Sequence, residues 1–255
     1  MQDYTPREMM AIAAARRIRN GDVVFCGTGI SMLAAMAAKH IHAPDSVIFF
    51  ETGAIDSTLQ EIPLAVADPR VMFATAVNGS LADAFATMQN RRLQHRLVGI
   101  LGAAQIDPFG NLNSTVIGDY QHPEVRLAGS GGAADVASFI SRTIIFMQHE
   151  SRKFVQRLDY VTSPGYRIHG LERHALGLPP GGPEAVITNL AVMGFDADSG
   201  RMVLDRTFPG VTAKQVCNRT GFKIDVTRAR KVRSPSAAEL NILRQRCDPQ
   251  RLILG

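Results

Sequence analysis

This 255-residue sequence contains no tryptophan, only four tyrosines and three cysteines, and no apolar run long enough to cross a bilayer. The three cysteines are Cys26, Cys217 and Cys247. Their odd number and wide separation exclude a disulfide framework and a cysteine metal motif. The histidines lack HxxxH or a similar ligand spacing, so the sequence predicts no metal site.

Positive charge is in small excess, with 28 Lys and Arg against 23 Asp and Glu, which gives a formal charge of +5. Much of the excess lies in the segment 228–233, which has no interleaved aromatic residues. A solvated surface, or a contact with an anionic ligand or another protein chain, is therefore favoured over nucleic-acid binding. The N-terminus, Met1 to Tyr4, lacks the layout of a signal peptide, so a soluble, cytoplasmic protein is expected.

The first helix has clear signals. Thr5 is a candidate N-cap, Pro6 suits the first helical position, and Glu8 completes a capping box. Apolar residues recur to Ile18, and Asn20-Gly21 is typical of a helix end. Composition and periodicity predict further strands at 22–26, 47–50, 71–76, 97–101, 143–147, 185–195 and 201–206, and further helices at 31–39, 81–89, 212–220 and 234–246.

Strands that alternate with helices and are continuously apolar predict an α/β fold with a largely parallel sheet covered by helices on both faces. After about Ala185 the pattern changes to a β-hairpin around 196–200 and short helices. The Gly- and Pro-rich stretch 178–183 precedes this part. We therefore predict a core region, 1–180, and a smaller C-terminal lobe, 181–255, packed on it within one structural domain.

Glu51 is the most informative single residue. It ends the apolar run 47–50 and is followed at once by Thr52-Gly53. A carboxylate at the tip of a buried strand is costly unless it has a partner or a purpose. Two interpretations follow, a structural Glu that caps a helix or pairs with an Arg, and a catalytic carboxylate at the strand edge where α/β proteins bind ligands.

Gly27-Thr28-Gly29 follows a predicted strand and precedes a predicted helix. The pattern is part of a dinucleotide fingerprint, with Glu51 as the candidate ribose ligand of a nicotinamide enzyme. The third glycine is absent, because Ser31 and Met32 occupy its region. A tight turn is the alternative.

The segment 129–133 holds three glycines before a predicted helix, so its backbone N–H groups can approach a phosphate or an oxyanion. A flexible turn is the alternative. Gln105 and Asn113 carry amides that suit a ligand carbonyl or carboxylate. Turn bonding by the side chains accounts for Asn111 without a ligand, and is an alternative for Asn113 too.

Together these segments resemble the B subunit of class I coenzyme A-transferases, most of all the glutaconate CoA-transferases, over nearly the whole chain. The matching segments are Asp3-Tyr4-Thr5, Gly27-Thr28-Gly29, Ala43-Pro44-Asp45, Glu51-Thr52-Gly53, 102–108, Gly110-Asn111, Asn113-Ser114-Thr115, 117–120, 129–133, 147–150, 160–165 and Thr220-Gly221-Phe222.

The resemblance implies that Glu51 is a nucleophile that forms an acyl anhydride and then a glutamyl-CoA thioester. It implies that backbone N–H groups of Gly131, Gly132 and Ala133 stabilise the oxyanion, and that Gly27, Thr28, Gly29, Gln105 and Asn113 are candidate substrate-binding positions. Coenzyme A is then a substrate and no permanently bound cofactor is expected. The expected partner is an A subunit in a hetero-oligomer, with no nucleic acid and no membrane.

The segment 73–80 departs from the family, because it lacks the Trp-Pro and Gly-Cys features of glutaconate-specific members. Glutaconate is therefore not carried over as substrate, and dicarboxylic and 3-oxo acids remain the candidate class. Some relatives of this fold lack the glutamate and decarboxylate or hydrolyse CoA esters, so its presence favours transfer. A CoA-ester hydrolase, decarboxylase or lyase and a catalytically silent binding module remain the alternatives.

Overall fold

The structure is a computed structural model that describes residues 3–255, so Met1 and Gln2 of the N-terminal tetrapeptide lie outside the described residues. The helices are α1 (Pro6–Ala15), α2 (Ile30–Ile41), α3 (Leu81–Met88), α4 (Ala133–Phe139), α5 (Ala213–Cys217) and α6 (Ala237–Ile242). The strands are β1 (Val23–Phe25), β2 (Val47–Phe49), β3 (Ala54–Ile55), β4 (Val77–Asn78), β5 (Leu97–Gly102), β6 (Gln105–Ile106), β7 (Leu112–Asn113), β8 (Val116–Gly118), β9 (Pro123–Arg126), β10 (Arg142–Met147), β11 (Arg167–Ile168), β12 (Leu171–Glu172), β13 (Gly182–Thr188), β14 (Ala191–Phe195), β15 (Met202–Thr207) and β16 (Arg230–Lys231).

The described chain forms two compact units. The first consists of residues 3–100 and 234–255, and the second of residues 101–233. The sequence-based division into 1–180 and 181–255 differs from these units. Its boundary falls just before β13, which pairs in parallel with β10 within the second unit. The C-terminal helix α6 packs on α2 in the first unit.

In the first unit the strand order is β5-β1-β2-β3-β4. β1 pairs in parallel with both β5 and β2, and β2, β3 and β4 are antiparallel neighbours. The three residues of β1 are all buried, as expected for a central parallel strand. Helices α1 and α2 contact each other, and buried alanines and methionines allow their close approach.

In the second unit the order is β16-β15-β14-β13-β10. β10 and β13 are parallel, whereas β13, β14 and β15 form an antiparallel meander. Three small antiparallel pairs, β6 with β7, β8 with β9 and β11 with β12, lie outside this sheet. The predicted α/β class with parallel central strands is confirmed in both units.

Most predicted elements are confirmed to within a few residues, and two strand predictions are wrong. Residues 71–76 do not form a strand, because Asp68 caps a 3₁₀ turn at Pro69–Met72 and the strand begins only at Val77. The predicted strand 185–195 is two antiparallel strands, β13 and β14. The Thr188 hydroxyl accepts hydrogen bonds from the N–H groups of Leu190 and Ala191 and closes the turn between them.

Two reciprocal ion pairs join the N-terminal and C-terminal helices of the first unit. Thr5 and Glu8 form the predicted capping box of α1, and Arg244 donates to both oxygens of the Glu8 carboxylate, at 2.6 and 3.1 Å. Glu239 completes the capping box of α6 and accepts two hydrogen bonds from Arg16, at 2.8 and 2.7 Å. Each capping glutamate thus serves its own helix and the arginine of the other terminal segment.

We predict that Glu239→Gln lowers the unfolding free energy by about 1 to 2 kcal/mol near neutral pH, a value discounted for solvent screening. Burial raises the pKa of Glu239, but hydrogen bonds from Arg16 and Ser236 outweigh it and lower the pKa to about 2. Because the folded-state pKa lies below the unfolded value of about 4.3, this stability is present above that pH and is lost as the pH falls towards 2.

Urea unfolding between pH 2 and 7 measures this effect. The Gln variant should show a smaller loss of stability on acidification than the unmodified protein. Glu124→Gln, on an exposed carboxylate, is the control and should leave the unfolding curve unchanged. A Glu239→Gln variant with unaltered stability and unaltered acid sensitivity would contradict the prediction.

Candidate active site

Glu51 lies in the turn that follows β2 and is partly exposed. The turn is closed by a hydrogen bond from the Gly53 N–H to the Phe50 carbonyl oxygen, at 3.1 Å. Among residues 3–255 the Glu51 carboxylate has no hydrogen-bond donor and no ion-pair partner. A glutamate that caps a helix or pairs with an arginine would have such a partner within the chain, so the structural interpretation has no support in the described chain.

The turn at Gly27 emerges beside the turn at Glu51. β1 and β2 are parallel and in register at Phe25 and Phe49, so each turn lies two residues beyond a paired position. Neighbouring strands are about 4.8 Å apart, which places the two turns together at the carboxyl edge of the sheet. Gly27 and Glu51 therefore lie in neighbouring turns within the first unit.

The turn at 27–29 leads into α2 without a side-chain cap. Gly29 has φ +85° and offers no side chain to the first N–H groups of α2. The Ser31 hydroxyl donates to the carbonyl oxygens of Gly27 and Thr28, at 3.0 and 3.2 Å, and fixes the turn. An uncapped helix start beside a carboxylate suits the negative charge of a bound substrate.

Gly53 holds the Glu51 turn against the segment that precedes α3. The Gly79 N–H donates to the Gly53 carbonyl oxygen at 2.9 Å, and a Cβ on Gly53 would lie 2.1 Å from the Gly79 oxygen. Gly53 also has φ +97°. The residue after the nucleophile candidate, Thr52, has a buried hydroxyl oxygen with no hydrogen-bond partner in the described chain.

The glycine loop of the second unit offers free N–H groups. Gly131 has φ +48°, and Gly132 precedes the first residue of α4. The N–H groups of Gly131 and Gly132 have no acceptor among residues 3–255. The N–H of Ala133, the third residue of the predicted oxyanion site, donates to the Ser130 carbonyl oxygen at 2.9 Å.

Gln105 and Asn113 are buried and bonded to the protein. The Asn113 amide nitrogen donates to the Gln105 side-chain oxygen at 2.8 Å, and Gln105 donates to the Asp159 carboxylate at 2.8 Å. The Asn113 side-chain oxygen accepts from the N–H of Thr115 at 3.0 Å, as in the Asx turn anticipated from the sequence. In this structure both amides stabilise the loop backbone, and their role towards a ligand stays a prediction.

Arg173 holds the far end of α4, a role that the sequence did not indicate. It is buried and donates to the carbonyl oxygens of Ala137 and Ser138, at 3.0 and 2.7 Å. The same guanidinium donates to Pro179 and Gly165. Burial lowers the pKa of Arg173, but carbonyls of the helix C-terminus compensate its charge.

No cluster of three or more His, Cys, Asp and Glu side chains in the described chain has the arrangement of a metal site. Burial raises the pKa of the Cys26 thiol to about 12, so this cysteine is not a thiolate near neutral pH. None of the helices formed by residues 3–255 has the length and hydropathy needed to span a bilayer.

Comparison with known proteins places these features in a family. Residues 7–219 match the family model described as coenzyme A transferase. The chain belongs to the coenzyme A transferase family. It is 41% identical to the B subunit of glutaconate CoA-transferase from Acidaminococcus fermentans, over 97% of this chain and 94% of that protein. It is 39% identical to the B subunit of 3-oxoadipate CoA-transferase from Pseudomonas knackmussii, over 96% and 94% of the two chains.

The fold of this coenzyme A transferase chain matches a solved structure of the same family. The crystal structure of glutaconate coenzyme A-transferase from Acidaminococcus fermentans superposes with a TM-score of 0.94 at 40% identity and covers 100% of this chain and 98% of that one. This likeness confirms the predicted fold class and the resemblance on which the site prediction rests.

Sequence reasoning assigned no role to Ser114, Thr162 or Arg173, although Ser114 and Thr162 lie in matched segments. These residues contact backbone atoms of other segments, and no local residue pattern predicts such contacts. Thr52 adjoins Glu51 in the sequence, but only the folded chain buries its hydroxyl.

We predict that Gly53→Ala destabilises the protein by more than Gly170→Ala does. Both glycines have a left-handed φ, which costs a residue with a Cβ roughly 1 to 2 kcal/mol. A Cβ on Gly170 meets no atom within 4 Å, whereas one on Gly53 meets the Gly79 backbone. Gly53→Ala therefore adds a steric cost that displaces the Glu51 turn.

Thermal and urea unfolding of the two variants measure the difference. Gly53→Ala should also reduce any reaction that depends on Glu51, while Gly170→Ala should leave it intact. Equal stability of the two variants, with equal activity, would show that the contact between Gly53 and Gly79 does not hold the turn.

Proposed function

We propose that this chain is the B subunit of a coenzyme A-transferase and that Glu51 is its covalent nucleophile. The observation that carries the proposal is the unpartnered Glu51 carboxylate at the carboxyl edge of parallel strands, beside the uncapped start of α2. A carboxylate that is free of internal partners is available to attack an electrophile. The relatives named as CoA-transferase subunits support the same reaction class.

In the proposed reaction a Glu51 oxygen attacks the thioester carbonyl carbon of an acyl-CoA. The carbon–sulfur bond breaks, CoA leaves as the thiolate, and Glu51 and the acyl group form a mixed anhydride. The thiolate then attacks the Glu51 carbonyl carbon, the carbon–oxygen bond to the acyl group breaks, and the first acid leaves as its carboxylate. Glu51 is left as its CoA thioester.

A second carboxylate attacks this thioester and reverses the sequence. It displaces the CoA thiolate and forms a new mixed anhydride with Glu51. The thiolate attacks the carbonyl carbon of the second acid, which leaves as its CoA thioester and restores the Glu51 carboxylate. The cycle begins and ends with one acyl-CoA thioester and one free carboxylate, so it needs no ATP and no other co-reactant.

Each attack passes through a tetrahedral oxyanion that requires hydrogen-bond donors. We assign this role to the N–H groups of Gly131 and Gly132, which lack acceptors within the described chain. Donors placed where the charge develops typically contribute about 3 kcal/mol each. The Ala133 N–H is already bonded to the Ser130 carbonyl oxygen, so we assign Ala133 a smaller contribution to oxyanion stabilisation. Gly27, Thr28 and Gly29 are assigned to substrate binding next to Glu51.

The proposed partner is an A subunit, because the relatives at 41% and 39% identity are each named as the B subunit of their enzyme. Glutaconate and 3-oxoadipate, which those names specify, are dicarboxylic acids. We therefore propose short dicarboxylic acids as the first substrate class to test. Between residues 52 and 90 the chain has one cation, Arg70, which pairs with Asp68 and Glu61, so a second carboxylate group needs a cation from elsewhere.

We predict that Glu51→Gln in the assembled A–B enzyme lowers CoA exchange by more than ~10⁴-fold, as removal of a covalent nucleophile does elsewhere. Glu51→Gln keeps the shape of the side chain but removes the attacking carboxylate. Glu124→Gln, an exposed carboxylate, is the matched control and should retain full activity. Exchange of label between an acyl-CoA and a free acid is the measurement.

Trapping identifies the intermediate directly. The enzyme is incubated with acyl-CoA and then with borohydride, which reduces a glutamyl thioester to a primary alcohol. Peptide mass spectrometry should find the reduced residue at Glu51 and nowhere else. Full exchange activity of Glu51→Gln, or a trapped residue other than Glu51, would refute the assignment.

We also predict that steady-state consumption of the donor acyl-CoA depends on an acceptor acid. Initial rates with varied acyl-CoA and varied glutaconate, 3-oxoadipate or acetate should give parallel reciprocal plots, because the two half-reactions are separate. Release of free CoA at the same rate without any acceptor would instead identify a CoA-ester hydrolase of this fold.

A further inference from the structure

The Gly129–Gly132 loop has a fixed backbone despite its three glycines, and the contacts that fix it lie within the second unit. Glycine gives a loop many accessible conformations, and most of them would turn the N–H groups of Gly131 and Gly132 elsewhere. Oxyanion donors act only when they are oriented before the reaction. The loop therefore needs contacts that hold its peptide planes.

Ser114 supplies two of these contacts to one residue. Its hydroxyl donates to the Gly129 carbonyl oxygen at 2.8 Å, and its carbonyl oxygen accepts from the Gly129 N–H at 2.9 Å. Both polar groups of Gly129 are thus bound to Ser114. Because a peptide unit is planar and trans, fixing the Gly129 carbonyl also fixes the N–H of Ser130, which points the opposite way.

The next peptide plane is fixed by the loop itself. The Ser130 carbonyl oxygen accepts from the Ala133 N–H at 2.9 Å. The Gly131 N–H belongs to the same peptide as this carbonyl and therefore points away from the turn. Ser114 thus holds the first peptide plane and Ala133 holds the second. Together they set the direction of the free Gly131 N–H.

Ser114 is in turn held by its neighbours. Its N–H donates to the Thr162 hydroxyl at 2.9 Å, and the Thr115 hydroxyl lies 2.7 Å from the same oxygen. Asn113 closes the Asx turn through these residues by accepting from the N–H of Thr115. The segment 113–115 is thus anchored at several points before it reaches Gly129.

We propose that Ser114 is a positioning residue that orients the N–H groups of the Gly129–Gly132 loop for oxyanion stabilisation. The inference rests on the proposed function, because it takes the loop as the oxyanion site. Ser114 touches no reacting atom in this scheme and acts through Gly129. Loss of its hydroxyl leaves the substrate-binding groups and the bond from the Gly129 N–H to the Ser114 carbonyl oxygen in place, but frees the peptide plane between Gly129 and Ser130 to rotate.

The test uses the A–B complex with Ser114→Ala. We expect kcat to fall about 10- to 100-fold, the range that a displacement of about 1 Å produces, while KM for acyl-CoA changes less than about threefold. Ser114→Thr keeps the hydroxyl and should recover most of kcat. Ser199→Ala is the control, because the Ser199 hydroxyl holds a surface turn by a bond to Asp196 and should leave kcat unchanged.

Single-turnover trapping of the Glu51 thioester separates the inference from the proposed function. If Glu51 is never labelled in the unmodified enzyme, the proposed function fails. If Glu51 is labelled in the unmodified enzyme and Ser114→Ala labels it equally fast, the positioning role fails while the proposed function stands. A slower labelling rate in Ser114→Ala, with rescue in Ser114→Thr and an unchanged thermal midpoint, supports the role.

Discussion

The parallel pairing of β1 with β2 is the constraint on which the candidate site depends. Its register at Phe25 and Phe49 brings the Gly27 turn and the Glu51 turn to one edge of the sheet. A shift of two residues would keep the side chains on the same faces but would separate Gly27 from Glu51. The contact of Gly53 with Gly79 then holds the Glu51 turn in place.

The distribution of satisfied and unsatisfied polar groups distinguishes the buried, bonded side chains from the groups proposed to meet the substrate. Gln105, Asn113 and Arg173 are buried polar side chains, and their hydrogen bonds are made within the protein. The Glu51 carboxylate and the N–H groups of the glycine loop lack such partners in the described chain. Glu51 is partly exposed and Gly131 is exposed, so water satisfies these groups in the free protein and leaves them available for the substrate contacts proposed above.

Much of the fold could be predicted because local signals agreed with the tertiary structure. The capping box at Thr5 and Glu8, the apolar strand before Glu51 and the helix after Gly29 all lie where the pattern indicated. The strand prediction for 71–76 is wrong because Asp68 and Pro69 start a 3₁₀ turn. This local preference outweighs the β propensity of the residues that follow. The turn at Thr188 escapes prediction because only two polar residues, Thr188 and Asn189, interrupt an otherwise apolar segment.

The sequence by itself determined the family, the α/β class and the carboxylate at the strand tip, because these depend on residue types and their local order. The tertiary structure decided which candidate side chains already have hydrogen-bond partners within the chain. Gln105 and Asn113 carry the amides that a binding site would use, yet their bonds are already made to each other, to Asp159 and to the backbone. Ser114 had no distinguishing pattern, yet it holds Gly129 from a separate loop. Hydrogen bonds between segments distant in sequence exist only after folding, and they decide which polar groups are bonded within the chain and which are left for a ligand or solvent.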